Sequence, residues 1–131
     1  MMALDTNVIV RLLTRDDPSQ LAAAETVLEE GQAVFVPDLV VAELVWVLRR
    51  AYGWEPARVL DALRGLLSLS DVEWEDEESV ASATEAYAEG GDWSDHFIRQ
   101  KARKRGCQGV YSFDAKFRRV DSDFVLEPKI G

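Results

Sequence analysis

Four acidic side chains stand at positions where they could share a cation in the folded chain. Asp5 follows the apolar residues 1–4, and Asp114 follows the predicted strand 109–113. Glu43 is the only charge in the segment 39–48, and Asp95 lies near the start of a predicted helix. Mg²⁺ and Mn²⁺ prefer hard oxygen ligands and bind through a few carboxylates together with water and substrate phosphate. One or two such ions can activate water and polarise a phosphodiester. The four acids therefore predict a magnesium or manganese site suited to phosphodiester hydrolysis.

Each acid also has a structural interpretation that needs no metal. Asp5 and Asp114 each precede a predicted helix, where an Asp N-cap is sufficient explanation for the residue. Asp92 and Asp95 both lie at the start of a later helix, and Asp92 is expected to be its cap. Glu43 lies in a segment that is apolar on every side, so we expect it to be buried. A buried carboxylate must be paired or bound to a cation, and a salt bridge to a distant Arg is the alternative to a metal ligand.

Other kinds of site find little support in the sequence. One His and one Cys make a zinc site improbable, and they exclude a catalytic pair of His residues. No glycine-rich phosphate loop is present. His96 is expected on the helix surface or partly buried, and Cys107 is expected to be a small buried residue. The acidic residues thus remain the main candidates for chemistry.

Composition limits the class of protein. The chain has 131 residues, which suits a single domain over residues 1–131 with a real core. No apolar run reaches the roughly 20 residues that a membrane helix needs, and we expect neither a membrane segment nor a secretory signal. The single Cys fits a reducing cytoplasm, where we expect the protein to be located.

The charge distribution bears on nucleic-acid binding. The formal net charge of −9 counts against general affinity for nucleic acid, because phosphate contacts need cations. The basic residues are nevertheless clustered, in the run 99–105 and again at 116–119. A solvated helix face is the alternative interpretation of such runs. A local basic strip would still allow an enzyme that acts on nucleic acid.

Strands and helices are predicted to alternate along the chain. The predicted strands cover residues 1–4, 33–36, 72–74, 109–113 and 124–126, and we expect the first of them to be buried. The first predicted helix begins near Thr6, a turn or cap residue, and would bury Val8, Leu12 and Leu13. The other predicted helices cover 19–30, 39–52, 56–67, 77–88, 93–105 and 115–119, and Gly90 and Gly91 end the one at 77–88. This order predicts right-handed crossovers and a mostly parallel sheet covered by helices. Asp5 and Asp114 would then lie at the carboxyl edge of one sheet, where open α/β sheets bind ligands.

Four motifs carry a family resemblance when they are taken in order. They are LDTNV at residues 4–8, VVAELVWVL at 40–48, DWSDHFI at 92–98 and SFDAKF at 112–117. This set resembles the PIN-domain ribonucleases, and most closely the VapC-type toxins of toxin–antitoxin pairs. The family's metal-binding acids fall on Asp5, Glu43, Asp95 and Asp114 of this chain. The Asn of the DTN motif falls on Asn7, and the hydroxyl residue before the last Phe-Asp falls on Ser112. The family more often has Thr at position 112 and a small apolar residue at position 96.

The resemblance implies a fold, an activity and partners. It implies a three-layer α/β/α sandwich with a mostly parallel central sheet, and an endoribonuclease that depends on one or two Mg²⁺ or Mn²⁺ ions. The substrate would be structured RNA such as tRNA or rRNA, with phosphates contacted by Arg99, Arg103 and Lys116. Asp92 and Ser112 would support the site. A homodimer and a cognate antitoxin are also implied. The antitoxin would place a basic side chain in the acidic site and lie along the third and fourth helices, near Trp46 and Trp54.

Two alternatives remain at this point. One is a Mg²⁺-dependent phosphatase or phosphotransfer domain with Asp5 as nucleophile. Haloacid-dehalogenase-like enzymes have a second Asp two residues further on, however, and this chain has Asn7 there. The other is a non-catalytic PIN-like binding module, which predicts that one or more of the acids is missing or salt-bridged. All four are present.

Overall fold

The computed structural model describes residues 1–29 and 31–130, and these residues form seven helices and five strands. The strands are β1 (Met2–Ala3), β2 (Val34–Val36), β3 (Val72–Trp74), β4 (Val110–Tyr111) and β5 (Val125–Leu126). The helices are α1 (Thr6–Thr14), α2 (Pro18–Glu29), α3 (Asp38–Arg50), α4 (Pro56–Leu67), α5 (Glu77–Ala88), α6 (Trp93–Arg105) and α7 (Ala115–Val120). None of these helices is long and apolar enough to span a membrane. The chain divides into two compact units, residues 1–77 and the residues from Glu78 onward.

The first unit is built on a parallel sheet with the strand order β1-β2-β3. Met2 lies opposite Val34, and Val34 lies opposite Val72. Parallel neighbours cannot be joined by a tight hairpin, so each connection contains helices, α1 and α2 before β2 and then α3 and α4 before β3. The central strand β2 is apolar, with Val34 and Val36 both buried. The predicted α/β class with parallel strands is confirmed.

The core of the first unit lies among α1, α3 and α4. Leu44, Leu48, Val59 and Leu63 are almost completely buried. In α1 the most buried apolar residues are Ile9 and Val10. The prediction that Val8, Leu12 and Leu13 form the buried face of this helix is therefore wrong, since all three are only half-buried.

The second unit contains α5, α6, α7 and the parallel pair β4-β5, in which Val110 lies opposite Val125. Phe117, Phe124 and Val125 form a small core against which Val110 packs. Near the start of α6, the buried Trp93 stacks on Phe97 with ring centroids 4.9 Å apart. The Trp93 indole N–H also donates to Thr84 of α5 at 3.2 Å, so α5 and α6 are joined by packing and by a hydrogen bond.

Most element boundaries agree with the sequence-based predictions. The bounds predicted for β3, α5 and α6 are those that the structure has. The predicted end of the second helix, Glu30, lies outside the described residues. The prediction that one domain covers residues 1–131 stays a prediction.

Three predictions about placement are wrong. The strands that precede Asp5 and Asp114 belong to two different sheets, not to one. Strand β1 is exposed at both of its residues because it forms an edge of its sheet, and only the following Leu4 is buried. Cys107 is exposed, because it directly follows the exposed residue Gly106 that ends α6.

Candidate active site

Asp5 is exposed and forms the N-cap of α1. Its Oδ1 accepts a hydrogen bond from the backbone N–H of Thr6 at 2.7 Å. The predicted capping role is therefore confirmed, but it does not exclude a role in binding. A carboxylate has two oxygens with about four acceptor sites, and the cap uses one of them. Asn7 is also exposed, and it borders a cavity of about 330 Å³ between α1 and α2.

Glu43 is exposed, which contradicts the prediction that it is buried. The apolar segment around it does not face the core on every side, because Leu39 is 69% exposed and Trp46 is 62% exposed. Its Oε2 accepts a hydrogen bond from the Thr6 hydroxyl at 2.7 Å. Within the described part of the chain Glu43 forms no ion pair, so the alternative of a salt bridge to an Arg finds no support.

Thr6 connects the two acids of the first unit. Its side chain is buried, at 5% exposure for the residue, and it donates from its backbone to Asp5 and from its hydroxyl to Glu43. The sequence indicated a turn or cap residue at Thr6 but not this bridge. The one available signal was its place between Asp5 and Asn7, and its distant partner could not be identified from that.

Two acids of the second unit meet at the start of α6. Asp92 is the N-cap, as predicted, and its Oδ1 accepts from the backbone N–H of Asp95 at 3.2 Å. Burial raises the pKa of the Asp95 carboxyl above its ordinary value, and the negative charges of Asp92 and Asp114 raise this pKa further. The nearby His96 offsets part of that rise. Asp95 is thus a half-buried carboxylate with two like charges within electrostatic reach.

Asp114 forms the N-cap of the short helix α7. Its Oδ1 accepts from the backbone N–H of Lys116 at 2.9 Å, and its own N–H donates to the hydroxyl oxygen of Ser112 at 3.0 Å. Asp114 is exposed, and its second carboxylate oxygen is not used by the cap. Ser112 therefore fixes the backbone of Asp114. The Ser112 hydroxyl acts as an acceptor in this bond, so its hydrogen can be donated to another group.

His96 is buried, at 3% exposure, which contradicts the prediction that it lies on the helix surface or is partly buried. Its Nε2 lies 2.6 Å from the carbonyl oxygen of Gly90, and its Nδ1 lies 2.9 Å from a guanidinium nitrogen of Arg99. Because Arg99 can only donate, Nδ1 accepts and Nε2 donates to Gly90. Both ring nitrogens are used within the fold, so His96 holds the start of α6 in place.

Comparison with known proteins identifies the family of the chain. The sequence model of the PIN domain matches residues 2–123 of the chain. The chain belongs to the PIN domain family. A VapC ribonuclease of Aquifex aeolicus (strain VF5) is 28% identical to it over 125 residues, which are 92% of each protein. The resemblance to the PIN and VapC proteins is therefore confirmed, and the PIN-like fold class with it.

The metal site of this PIN domain stays a prediction. Within the described residues, neither unit by itself places three or more His, Cys, Asp or Glu side chains where they could hold a metal ion together. The surroundings of Asp95 nevertheless fit a divalent cation. Partial burial and two neighbouring negative charges both disfavour its ionised form, and a cation would relieve both penalties.

The basic residues expected to contact phosphate differ in their surroundings. Arg99 is half-buried, and its guanidinium lies 3.0 Å from Oδ2 of Asp121. Arg103 pairs with the same carboxylate and stacks on the ring of Phe124 at 3.9 Å. Lys116 is exposed. Phosphate binding by Arg99, Arg103 and Lys116 stays a prediction, and the two arginines already serve as partners of Asp121.

Proposed function

We propose that this PIN-domain protein is a metal-dependent endoribonuclease, and that it is the toxin of a type II toxin–antitoxin pair. The observation that carries the proposal is Asp95, a carboxylate kept half-buried near the charges of Asp92 and Asp114. Such an arrangement is unfavourable for folding unless a cation or a substrate uses it, and perturbed carboxylates of this kind concentrate at functional sites. The match to a protein named VapC ribonuclease, over 92% of both chains, supports ribonuclease chemistry.

The site residues divide into ligands and supports. The proposed ligands of one or two Mg²⁺ or Mn²⁺ ions are Asp5, Glu43, Asp95 and Asp114. The bound metal supplies polarisation of the phosphodiester and activation of water. Thr6 donates to the carboxylates of Asp5 and Glu43, from its backbone N–H and its hydroxyl respectively. The side chains of Asp92 and Ser112 accept from the backbone N–H groups of Asp95 and Asp114. These contacts keep the acids oriented before any ligand arrives, which lowers the cost of binding.

Substrate binding is proposed to depend on local positive charge. Lys116 is exposed two residues after Asp114 and would contact a phosphate, with Arg99 and Arg103 contributing from α6. Structured RNA such as tRNA or rRNA is the proposed substrate. Action on such RNA places the protein in the cytoplasm.

An antitoxin is proposed to cover α3 and reach the acidic site. Leu39, Glu43 and Trp46 follow one another at spacings of four and three residues, so they share one face of α3. All three are exposed. A partner with an apolar segment on Leu39 and Trp46 would therefore cover Glu43 as well, and a basic side chain on that segment would neutralise it. Trp54 does not belong to this surface, because it is buried beneath Arg58. Homodimerisation is proposed as a separate property, tested by solution molar mass.

The decisive experiment compares three proteins on total cellular RNA. They are the wild type, Asp5→Asn and the control Asp61→Asn, which removes an exposed carboxylate from α4. Each is incubated with Mn²⁺, with Mg²⁺ or with EDTA. We expect cleavage at a few discrete positions by the wild type and the control, none in EDTA, and a loss of about 100-fold or more in Asp5→Asn. That factor corresponds to about 2.7 kcal/mol of transition-state stabilisation.

Other outcomes of the same experiment would identify the alternatives. Cleavage that persists in EDTA and in Asp5→Asn would contradict the proposed site. Mn²⁺ binding without cleavage of any RNA would favour a non-catalytic PIN-like module. A phosphorylated protein that is lost in Asp5→Asn would favour a phosphatase or phosphotransfer enzyme.

A further inference from the structure

Asp121 connects two helices of the second unit. It follows the last residue of α7, and its carboxylate receives the guanidinium groups of Arg99 and Arg103 from α6. The Arg99 contact measures 3.0 Å, with side-chain exposures of 13% for Arg99 and 19% for Asp121. A pair that is mostly withdrawn from solvent is screened less by salt than a surface pair, so it holds its geometry better.

The backbone of Asp121 also forms hydrogen bonds. Its carbonyl oxygen accepts from the N–H of Phe124 at 3.0 Å and from the N–H of Val125 at 2.8 Å. These two bonds set the start of β5, which pairs with β4. At the end of that pair, the N–H of Ser112 donates to the carbonyl of Leu126 at 2.9 Å. Asp121 therefore fixes the strand that positions Ser112.

The chain of contacts ends at the proposed metal ligands on both sides. On one side Ser112 accepts from the backbone of Asp114. On the other side Arg99 donates to His96, which directly follows Asp95 and donates in turn to the carbonyl of Gly90. Every hydrogen bond named on these two paths has a donor–acceptor distance of 3.0 Å or less. One residue thus ties the helix that carries Asp95 to the loop that carries Asp114, since the carboxylate of Asp121 bonds to α6 and its backbone carbonyl bonds to the start of β5.

We propose that Asp121 is a positioning residue that sets the separation of the Asp95 and Asp114 carboxylates. It contacts neither of them and acts through Arg99, Arg103 and the start of β5. The inference rests on the proposed function, since it matters for activity only if the two acids bind metal. Residues that orient metal ligands from outside the first coordination sphere typically change metal affinity or activity by about 10–100-fold when mutated.

The test uses Asp121→Asn, which keeps the size of the side chain and removes its charge. The matched control is Asp123→Asn, an exposed carboxylate in the same loop. Mn²⁺ affinity is measured without RNA, from the electron paramagnetic resonance signal of free Mn²⁺. Amide hydrogen exchange at Ser112 and Asp114 and thermal unfolding are measured on the same samples. We expect Asp121→Asn to bind Mn²⁺ about 10-fold more weakly and to exchange faster at both amides, with the control unchanged.

Each other result has a defined meaning. Wild-type Mn²⁺ affinity and wild-type exchange in a folded Asp121→Asn would overturn the positioning role, even if its unfolding temperature falls. If Asp121→Asn does not fold, Arg103→Gln removes one partner and leaves Arg99, and it must show a smaller change in the same direction. A wild type that binds Mn²⁺ but cleaves no RNA would contradict the proposed function. The comparison of Mn²⁺ affinity and amide exchange between the wild type and Asp121→Asn would still test the positioning role. If the wild type binds no Mn²⁺, unchanged amide exchange in Asp121→Asn overturns the inference.

Discussion

At the residue scale, Thr6 has the largest effect on the first pair of acids. Its two donors reach a carboxylate that is adjacent in sequence and one that lies on another helix. A hydroxyl held in this way restricts the rotamers of Glu43, which is otherwise an exposed and flexible side chain. The bond therefore gives Glu43 a defined direction.

Replacing Thr6 by Val should separate this role from packing. The substitution keeps the branched shape and removes the hydroxyl, so we expect a loss of about 1 kcal/mol in the free energy of unfolding. RNA cleavage should fall by about tenfold, which corresponds to 1.4 kcal/mol in the transition state. The control is Thr26→Val on α2, where the hydroxyl bonds only to the carbonyl of Ala22. Equal activity losses in both variants would contradict a specific role for Thr6.

The sequence predicted the roles of some of these residues but not of others. The difference is whether a role is set by the next few residues or by packing with other parts of the chain. The capping roles of Asp5, Asp92 and Asp114 depend on the next few residues and could be predicted. The prediction that Glu43 is buried was wrong, because an apolar segment shows how much of the chain can be buried but not which face of its helix is covered. The partners of Asp121 lie 22 and 18 residues away on α6, and a single sequence does not reveal such contacts. The partners of His96 lie only six and three residues away, but its burial depends on packing that the local sequence does not show.

At the scale of elements, the connection between α5 and α6 is unusually constrained. Gly90 and Gly91 both have positive φ angles, 120° and 80°. A Cβ on Gly91 would lie 2.8 Å from Nε2 of His96, so this position has no room for a side chain. The predicted end of α5 at these two glycines is confirmed, but the buried His that closes over them was not predicted.

Gly91→Ala and Gly65→Ala should therefore have opposite effects. At Gly91 the strain of a positive φ and the clash with His96 should lower the free energy of unfolding by more than about 1 kcal/mol. At Gly65, inside α4 with open space around it, Ala should stabilise by about 0.5–1 kcal/mol. Urea unfolding midpoints provide the measurement. Stabilisation in both variants would show that the turn tolerates a side chain.

The contact between α6 and α7 should make stability depend on pH. Burial alone raises the pKa of Asp121, but hydrogen bonds and positive charges from Arg103 and Arg99 outweigh this effect and hold the pKa below its ordinary value. The stabilisation is therefore present above the unfolded-state pKa of about 3.9 and is lost as pH falls through the lower folded-state value. As pH falls below about 4, we expect the wild type to lose progressively its advantage over Asp121→Asn, about 0.5–1 kcal/mol. A constant difference in urea midpoint would contradict this.

At the scale of the whole molecule, the proposed function requires an acidic protein to bind an acidic substrate. With a net charge of −9, long-range electrostatics repel RNA, and only local cations can attract it. The composition of the sequence already indicated that the net charge opposes nucleic-acid binding. It also predicted most helices, because their boundaries depend on local signals such as glycine and proline. The division of the strands between two sheets was not predicted, since pairing joins residues far apart in the chain.

The salt dependence of RNA binding should show how many phosphates the protein contacts. The logarithm of the RNA binding constant should fall with the logarithm of salt concentration, by about 0.7–0.9 for each phosphate contact. Lys116→Gln should reduce that slope by about one contact. Lys129→Gln, an equal charge change at an exposed residue near the C-terminus, should leave the slope closer to that of the wild type. Equal changes in both variants would indicate that total charge, not a local contact, controls binding.

The exposed Cys107 has a practical consequence for anyone handling the protein. It is the single cysteine of the chain and follows the glycine that ends α6. A maleimide dye would attach at one position per chain with no engineered mutation. Without reductant, the same thiol can join two chains through an intermolecular disulfide. Covalent dimers on a non-reducing gel would then report oxidation and not assembly, so molar mass must be measured with reductant present.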